Sequence, residues 1–408
     1  MAAGGDRVRV LVIHPRDPVA PTVGGIQTFL ADFIKYAPPE FEITFAGTTA
    51  DRAARPIGRK TRVTVSGRTA TVLPLAAAGG LPRDPLGLFA AVIAQLRLRA
   101  EMVRGGRILQ VHRPYRSVYL TGHRGPRVQF VHVDIRDWPG PSAWGQLRGM
   151  YRQFSDRALG AMARIFVVNE PGAEILRRDH PSLAERVDFL PVWYDPQTFH
   201  PPADDGERAE LRRAVLSELG VEGETDDALV LFAGRLEPIK DPEMALTGWA
   251  AYVGAGRAAR LVVCGSGELR PALEKQAERL GLADRVHFLG DVPRSRLARI
   301  MRATDVLLLT SRAEGGGPRV VLEALASAMP VVATPVGEVR RTVAHQVDGY
   351  LLEETSAESV AAGLEWVLAA PRGPLNAAAV AAAAPYTAQA VLARVYETYR
   401  GLMNGAAR

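Results

Sequence analysis

A chain of 408 residues, 47 % hydrophobic and 23 % charged, is too long for one ordinary core and too apolar for a disordered polymer, so two folded domains are expected. Its single cysteine, Cys264, excludes an intrachain disulfide framework and points to a buried thiol in a reducing, cytoplasmic setting. The net charge of +6 is uneven: residues 1–195 hold 27 Lys/Arg against 17 Asp/Glu, which leaves the remainder net acidic.

The N-terminal MAAGGDRVRVLVI lacks the basic flank and small-residue site of a signal peptide and runs directly into a strand, RVRVLVIHP. GGIQTFLADFIKYA follows, with Ile26, Phe29, Leu30, Phe33 and Ile34 on one helix face. Gly24 and Gly25 open that helix, serving either a tight turn or the close approach of an oxyanion to backbone amides. Their spacing is not G-x-G-x-x-G, which disfavours a nicotinamide cofactor. FEITFAG, ILQVH, VQFVHV and RIFVVN read as further strands, alternating with helices near 86–103, 143–162 and 171–178, the order of a doubly wound parallel sheet. Between Arg97 and Arg127 stand eight arginines and one acid, Glu101. That stretch is either a solvated helix face or a surface for anionic lipid or a phosphorylated substrate, which leaves open a weak peripheral membrane contact.

The proline-rich, polar stretch 189–207 sets the expected boundary between a first domain, 1–195, and a second, 196–375. There the alternation restarts with ALVLFAG, ARLVVCG, RVHFLG, DVLLLT and PVVAT, separated by helices at 207–219, 240–253, 267–281, 294–302, 319–328 and 356–369. Residues 376–408 read as a helical segment, and the uncharged span 373–393 is broken by Pro385, a poor membrane-spanning pattern.

Three loops follow strands in this half. VLFAGRLEPIKD presents Arg235 and Lys240, a fork and a movable point charge suited to a diphosphate. VCGSGELRPALEKQ places Gly265 and Gly267 before a helix, repeating the anion-loop logic. In TSRAEGGGPRVVLEALA, Glu314 and Glu323 flank Gly316 and Gly317, and Pro318 suits a helix start. Glu323 then falls in or just after the first turn, within reach of ribose hydroxyls, and Glu314 lies in the loop before it.

Taken in order, the VGG loop, AGRLEPIKD, VCGSGE, VHFLGDVP and EGGGPRVVLEALASAMPVVATPVGE followed by DGYLLE resemble the retaining glycosyltransferases of GT-B fold, family 4. The resemblance implies two facing Rossmann-like doubly wound parallel-sheet domains with a cleft between them: an acceptor domain (1–195), a nucleotide-sugar domain (196–375) and a final helical segment (376–408) crossing back to the first. It implies that Arg235 and Lys240, with Gly24 and Gly25, hold the donor diphosphate. Glu323 matches the ribose-binding acid, Glu314 the acid near the donor sugar, and His132 the histidine close to the reaction centre. Gly265, Gly267, Val292, Gly316, Gly317 and Pro318 would line the donor nucleotide and sugar, and His14, His112 and Trp138 the acceptor side.

Two departures stand out. The family's glutamates are usually separated by seven residues, whereas Glu314 and Glu323 are separated by eight, so a register kept from Glu323 puts Gly315 at the sugar-contacting position. VWYDPQTF also replaces the usual Asn-Gly-Val-Asp linker. No Asp-x-Asp occurs in the chain, so no metal clamp is expected, nor a cofactor beyond the UDP- or GDP-linked donor. The expected activity is hexosyl or N-acetylhexosaminyl transfer to a small soluble acceptor such as a cyclitol, a sugar or a natural-product scaffold. A lipid acceptor, an epimerase or phosphorylase on the same fold, and an inactive sugar-binding module are the alternatives. No nucleic-acid partner is expected, and the oligomeric state is not legible.

Overall fold

The computed structural model describes residues 7–14, 17–19, 25–78, 106–112, 123–132, 156–221 and 225–406. The chain divides into two compact units, Met1–Pro191 with Gln389–Arg408, and Val192–Ala388.

The first unit is built in the order β1 (Val8–Ile13), α1 (Gly25–Lys35), β2 (Phe41–Thr49), β3 (Thr61–Val65), β4 (Arg68–Ala77), β5 (Ile108–Val111), β6 (Arg127–Val131), β7 (Arg164–Val167), α2 (Glu170–Asp179) and β8 (Val187–Phe189). Among the described residues its sheet runs β3-β4-β2-β1-β5-β6-β7-β8. The central strands β5, β6 and β7 are buried on both faces, as a covered parallel sheet demands, and Leu11, Leu109, Val131, Ile165 and Val167 join one buried cluster. Among the described residues only β3 runs antiparallel, to β4, through a turn at Ser66 and Gly67, both at positive φ. This hairpin was not among the expected strands. The α1 residues Phe29, Leu30, Phe33 and Ile34 are buried, as the helical period requires. The expected helix at 86–103 and most of that at 143–162 lie outside the described residues, as do 97–105 and 113–122 of the arginine-rich stretch.

The second unit contains α3 (Asp205–Glu218), β9 (Ala228–Ala233), α4 (Pro242–Gly254), β10 (Ala259–Cys264), α5 (Arg270–Arg279), β11 (Val286–Gly290), α6 (Arg294–Ala303), β12 (Val306–Leu309), α7 (Arg319–Ala326), β13 (Val331–Ala333), α8 (Val339–Thr342), β14 (Gly349–Leu351), α9 (Ala357–Ala369) and α10 (Arg372–Ala383). Its sheet is parallel throughout, in the order β11-β10-β9-β12-β13-β14. Cys264, at the end of β10, is buried, and burial pushes its thiol up to about 12, so it is inert.

A buried ionic knot sits at the opposite end of this sheet. Asp305, just before β12, accepts from Arg208 and Arg212 of α3 at 2.9 Å each, from Arg372 of α10, and from the Leu229 amide at 2.7 Å. Burial pushes this carboxyl up, but the arginines and the amide outweigh it and hold it below the usual carboxylate range.

The units divide after Pro191 and again after Ala388, against expected boundaries after 195 and 375. The reason is the apolar face of α10, which buries Leu375, Ala379 and Ala383 in the second unit. Only α11 (Ala388–Ala406) belongs to the first, where Tyr396 Oη donates to the Phe33 carbonyl at 2.7 Å. Among the described residues no helix is long and apolar enough to cross a membrane.

Candidate functional site

In the second unit the chain winds one way from β9 and the other way from β12, so the crevice of this sheet lies beyond the carboxyl ends of those neighbours. The loops leaving them are bound together. After β9 the chain passes Gly234 and Arg235 into a single turn, Pro238–Lys240, then Asp241 at φ +46, which caps α4 through a bond from the Met244 amide. After β12, Thr310 Oγ1 donates to the Asp241 carbonyl at 2.8 Å, the Arg312 amide to the Ile239 carbonyl at 2.9 Å, and Arg312 Nε to Asp241 Oδ2 at 2.7 Å.

That clamp brings Lys240 and Glu314 together. Lys240 Nζ stands 2.5 Å from Glu314 Oε1, with the two side chains 19 % and 11 % exposed. Arg235 is well exposed and pairs with Glu237, so the two expected diphosphate cations share a loop but engage different carboxylates.

Gly265 and Gly267 stand where the loop after β10 meets its neighbours backbone to backbone. A Cβ on Gly265 would lie 1.9 Å from the Gly234 carbonyl oxygen, and one on Gly267 2.3 Å from that of Leu236. Gly265 spends its amide on the Gly290 carbonyl at 2.8 Å. These glycines therefore let the loops after β9, β10 and β11 stack backbone to backbone, which sets where Arg235 and Lys240 emerge.

The glycine-rich third loop packs against the turn after β13. There Gly337 has φ +55, and a Cβ on it would lie 2.4 Å from the Gly316 carbonyl oxygen and 3.1 Å from Glu314 Cβ. Gly317 faces Val192, 2.7 Å from where its own Cβ would be. Pro318 is the residue capping α7, and Glu323 is the helix's fifth residue, just past the first turn and buried. Its Oε1 accepts from Arg294 Nη2 at 2.9 Å, and that guanidinium also lies over the Phe199 ring, 5.1 Å from its centre. Val292, half-buried two residues before Arg294, packs on the same core.

In the first unit, His14, His112 and His132 directly follow β1, β5 and β6, three adjacent parallel strands. The His14 and His112 rings meet edge-on at 5.6 Å, those of His112 and His132 stack at 5.1 Å, and Phe29 of α1 packs on the latter two. His112 Nδ1 lies 2.8 Å from His132 Nε2, and His112 Nε2 lies 2.8 Å from Gln110 Nε2. Burial, then the neighbouring His132 and His14, hold the His112 imidazole well below the ordinary histidine value, so it is neutral at pH 7. Gly25 is the exposed first residue of α1, whereas Gly24 and Trp138 lie outside the described residues.

Sequence reasoning missed Asp241, Arg294, Gly337, Gln110 and Tyr399. Asp241 carried a readable signal, an aspartate followed by proline at a helix start. The others become visible only through partners brought near by the fold. Among the described residues, no cluster of three or more His, Cys, Asp or Glu is gathered to hold a metal ion.

The family model of the glycosyl transferases group 1 matches residues 220–384, which carry the β9, β10 and β12 loops described above. That segment is thus similar to the glycosyl transferases group 1. Over 229 residues the chain is 33 % identical to a D-inositol 3-phosphate glycosyltransferase of Segniliparus rotundus, an alignment spanning 55 % of this chain and 49 % of the relative. The chain thus spans about half the length of the curated relatives it matches. A sucrose-phosphate synthase from Thermosynechococcus elongatus superposes with TM-score 0.76 at 20 % identity, covering 98 % of this chain and 100 % of the other. Anabaena HepE, solved in complex with UDP and glucose, superposes with TM-score 0.73 at 17 % identity, covering 97 % and 100 %. The group 1 segment therefore sits in a two-domain α/β chain of GT-B fold.

Proposed function

We propose that this chain is a retaining, metal-independent glycosyltransferase that moves a sugar from a UDP- or GDP-linked donor to a hydroxyl of a small polar acceptor, a cyclitol or sugar. The observation that carries the reading is the group 1 segment's arrangement at the sheet's crevice: Lys240 with Glu314 on the clamped loops, and buried Glu323 on α7, the helix that the Glu314 loop leads into. Two cations and the α7 amino end suit a diphosphate, and a buried carboxylate suits a vicinal diol. The UDP held by HepE supports a uridine donor, and the D-inositol 3-phosphate glycosyltransferases among the relatives support a cyclitol acceptor.

In this reading Lys240, Arg235 and the α7 amides neutralise the leaving diphosphate, Glu323 binds the donor ribose, and Glu314 orients the donor sugar as Lys240 turns to the phosphate. The acceptor oxygen bonds to the anomeric carbon as that carbon's bond to the diphosphate oxygen breaks, on the same face. The leaving group takes the electron pair, and its phosphate oxygen takes the acceptor's proton. His132 positions the donor sugar, and no protein nucleophile is required.

A thermal-shift panel of UDP, GDP and ADP against the matching monophosphates tests the donor assignment, since a ligand bound only by the folded state raises its melting temperature. One diphosphate should stabilise the protein well beyond its monophosphate, and Lys240→Met should remove most of that difference. Equal response to mono- and diphosphates would overturn the assignment of Lys240.

A further inference from the structure

Four buried or half-buried side chains of the first unit form one hydrogen-bonded chain, of which the chemistry above uses His132 alone. Tyr399, on α11, donates its hydroxyl to Gln110 Oε1 at 2.7 Å. Gln110, on β5, faces His112 Nε2 through its own Nε2 at 2.8 Å, and His112 Nδ1 meets His132 Nε2 at 2.8 Å. Gln110 and Tyr399 are fully buried, and His112 nearly so.

We propose that Tyr399, Gln110 and His112 are positioning residues that hold His132 in its Nδ1–H form. The direction of the chain follows from donor bookkeeping. A phenol hydroxyl always carries a proton, and burial drives the Tyr399 hydroxyl well above the ordinary tyrosine value, so it stays protonated. Among the described residues no acceptor other than Gln110 Oε1 bonds that hydroxyl. With Oε1 so occupied, the Gln110 amide nitrogen must face His112, and an amide N–H can only donate. His112 Nε2 is therefore the bare nitrogen, its proton sits on Nδ1, and Nδ1–H donates to His132 Nε2. His132 in turn has a bare Nε2 and a protonated Nδ1. Reversing the order would require the amide to flip and would leave the buried Tyr399 proton without its acceptor.

The consequence for chemistry rests on the reading of His132 as a sugar-positioning residue. Both histidines adopt the tautomer opposite to the Nε2–H form that a solvated imidazole prefers, and His132 then carries a proton on Nδ1. A protonated Nδ1 is no general base, which fits a reaction in which the diphosphate takes the proton. The device also links the C-terminal helix to β5 and β6, so α11 contributes to the site's chemistry as well as to its packing.

The test is a two-bond 1H–15N correlation spectrum of the full chain labelled at its eight histidines, recorded near pH 8 without ligand, with His112→Asn and His132→Asn used for assignment. The wild-type protein should show a protonated Nδ1 and a bare Nε2 for both His112 and His132. In Tyr399→Phe and Gln110→Met the two 15N shifts of His132 should converge as both tautomers become populated. An Nε2–H form of His132 in the wild-type protein overturns the proposal, and so does an unchanged pattern in both variants. The wild-type spectrum decides even where a variant fails to fold. It also requires no turnover, so failure of the glycosyltransferase reading would appear separately, as the absence of nucleoside diphosphate stabilisation.

Discussion

Replacing Glu314 by glutamine should tighten the binding of the donor's nucleoside diphosphate while abolishing turnover. In the free protein Lys240 is committed to Glu314, 2.5 Å away, in a pair that is largely withdrawn from water. A diphosphate must draw the ammonium from that carboxylate and then tolerate the carboxylate's charge nearby. Exposed ion pairs are worth at most about 1 kcal/mol and buried ones cost more to break, so competition of about 1–2 kcal/mol is reasonable for this intermediate burial. Removing it tightens binding roughly 5- to 30-fold. Lys240→Met acts in the opposite sense: it loses a charge-assisted bond worth about 1.5–3 kcal/mol, weakening the complex by at least roughly tenfold. Isothermal titration of both variants against the diphosphate chosen by the stability panel checks this. If Glu314→Gln weakens the diphosphate as Lys240→Met does, the two side chains do not compete and the placement of the phosphate on Lys240 is wrong.

Glu323→Gln should weaken the ribonucleoside diphosphate by about 1.5–3 kcal/mol but the 2′,3′-dideoxy analogue hardly at all, compared by the same titration. Asp305→Asn should destabilise the second unit by about 3 kcal/mol or more in urea unfolding, because it leaves Arg208 buried without its anion. Asp348 has its carboxyl raised by burial to about 6. The folded state then holds a proton that the unfolded state has lost, so this residue's contribution falls as pH rises from about 4 to about 6. Asp348→Asn, whose Oδ1 can still accept from the Ala344 amide, should flatten that slope and raise the melting temperature at pH 7.5; a lower melting temperature there would refute the cause.

The succession of strand, glycine loop and cation was legible because parallel strands buried on both faces write continuous apolar runs, and loops at their carboxyl ends must be small and polar. That placed Lys240 and Glu314 in loops at the carboxyl ends of strands and Glu323 near a helix start, while the adjacency of β9 and β12 came from the fold. The hairpin β3–β4 was also written, as TRVTVSGRTATV with alternating β-branched residues around a Ser-Gly turn, and it was passed over among the parallel units. At Gly265 and Gly267 a glycine needed for close backbone packing leaves the same mark in the sequence as one needed for an anion. Arg294 against Glu323 and Tyr399 against Gln110 left no pattern at all, since the second pair is 289 positions apart and each residue alone looks like an ordinary helix or strand position.

The most direct measurement of the central claim is a proton NMR time course of the full chain with UDP- and GDP-sugars and a cyclitol or cyclitol phosphate, run with and without EDTA. The account predicts a new anomeric signal of the donor's own configuration, rising with free nucleoside diphosphate and unaffected by EDTA. An inverted anomeric signal, turnover that EDTA abolishes, or an isomerised donor formed without acceptor would contradict it.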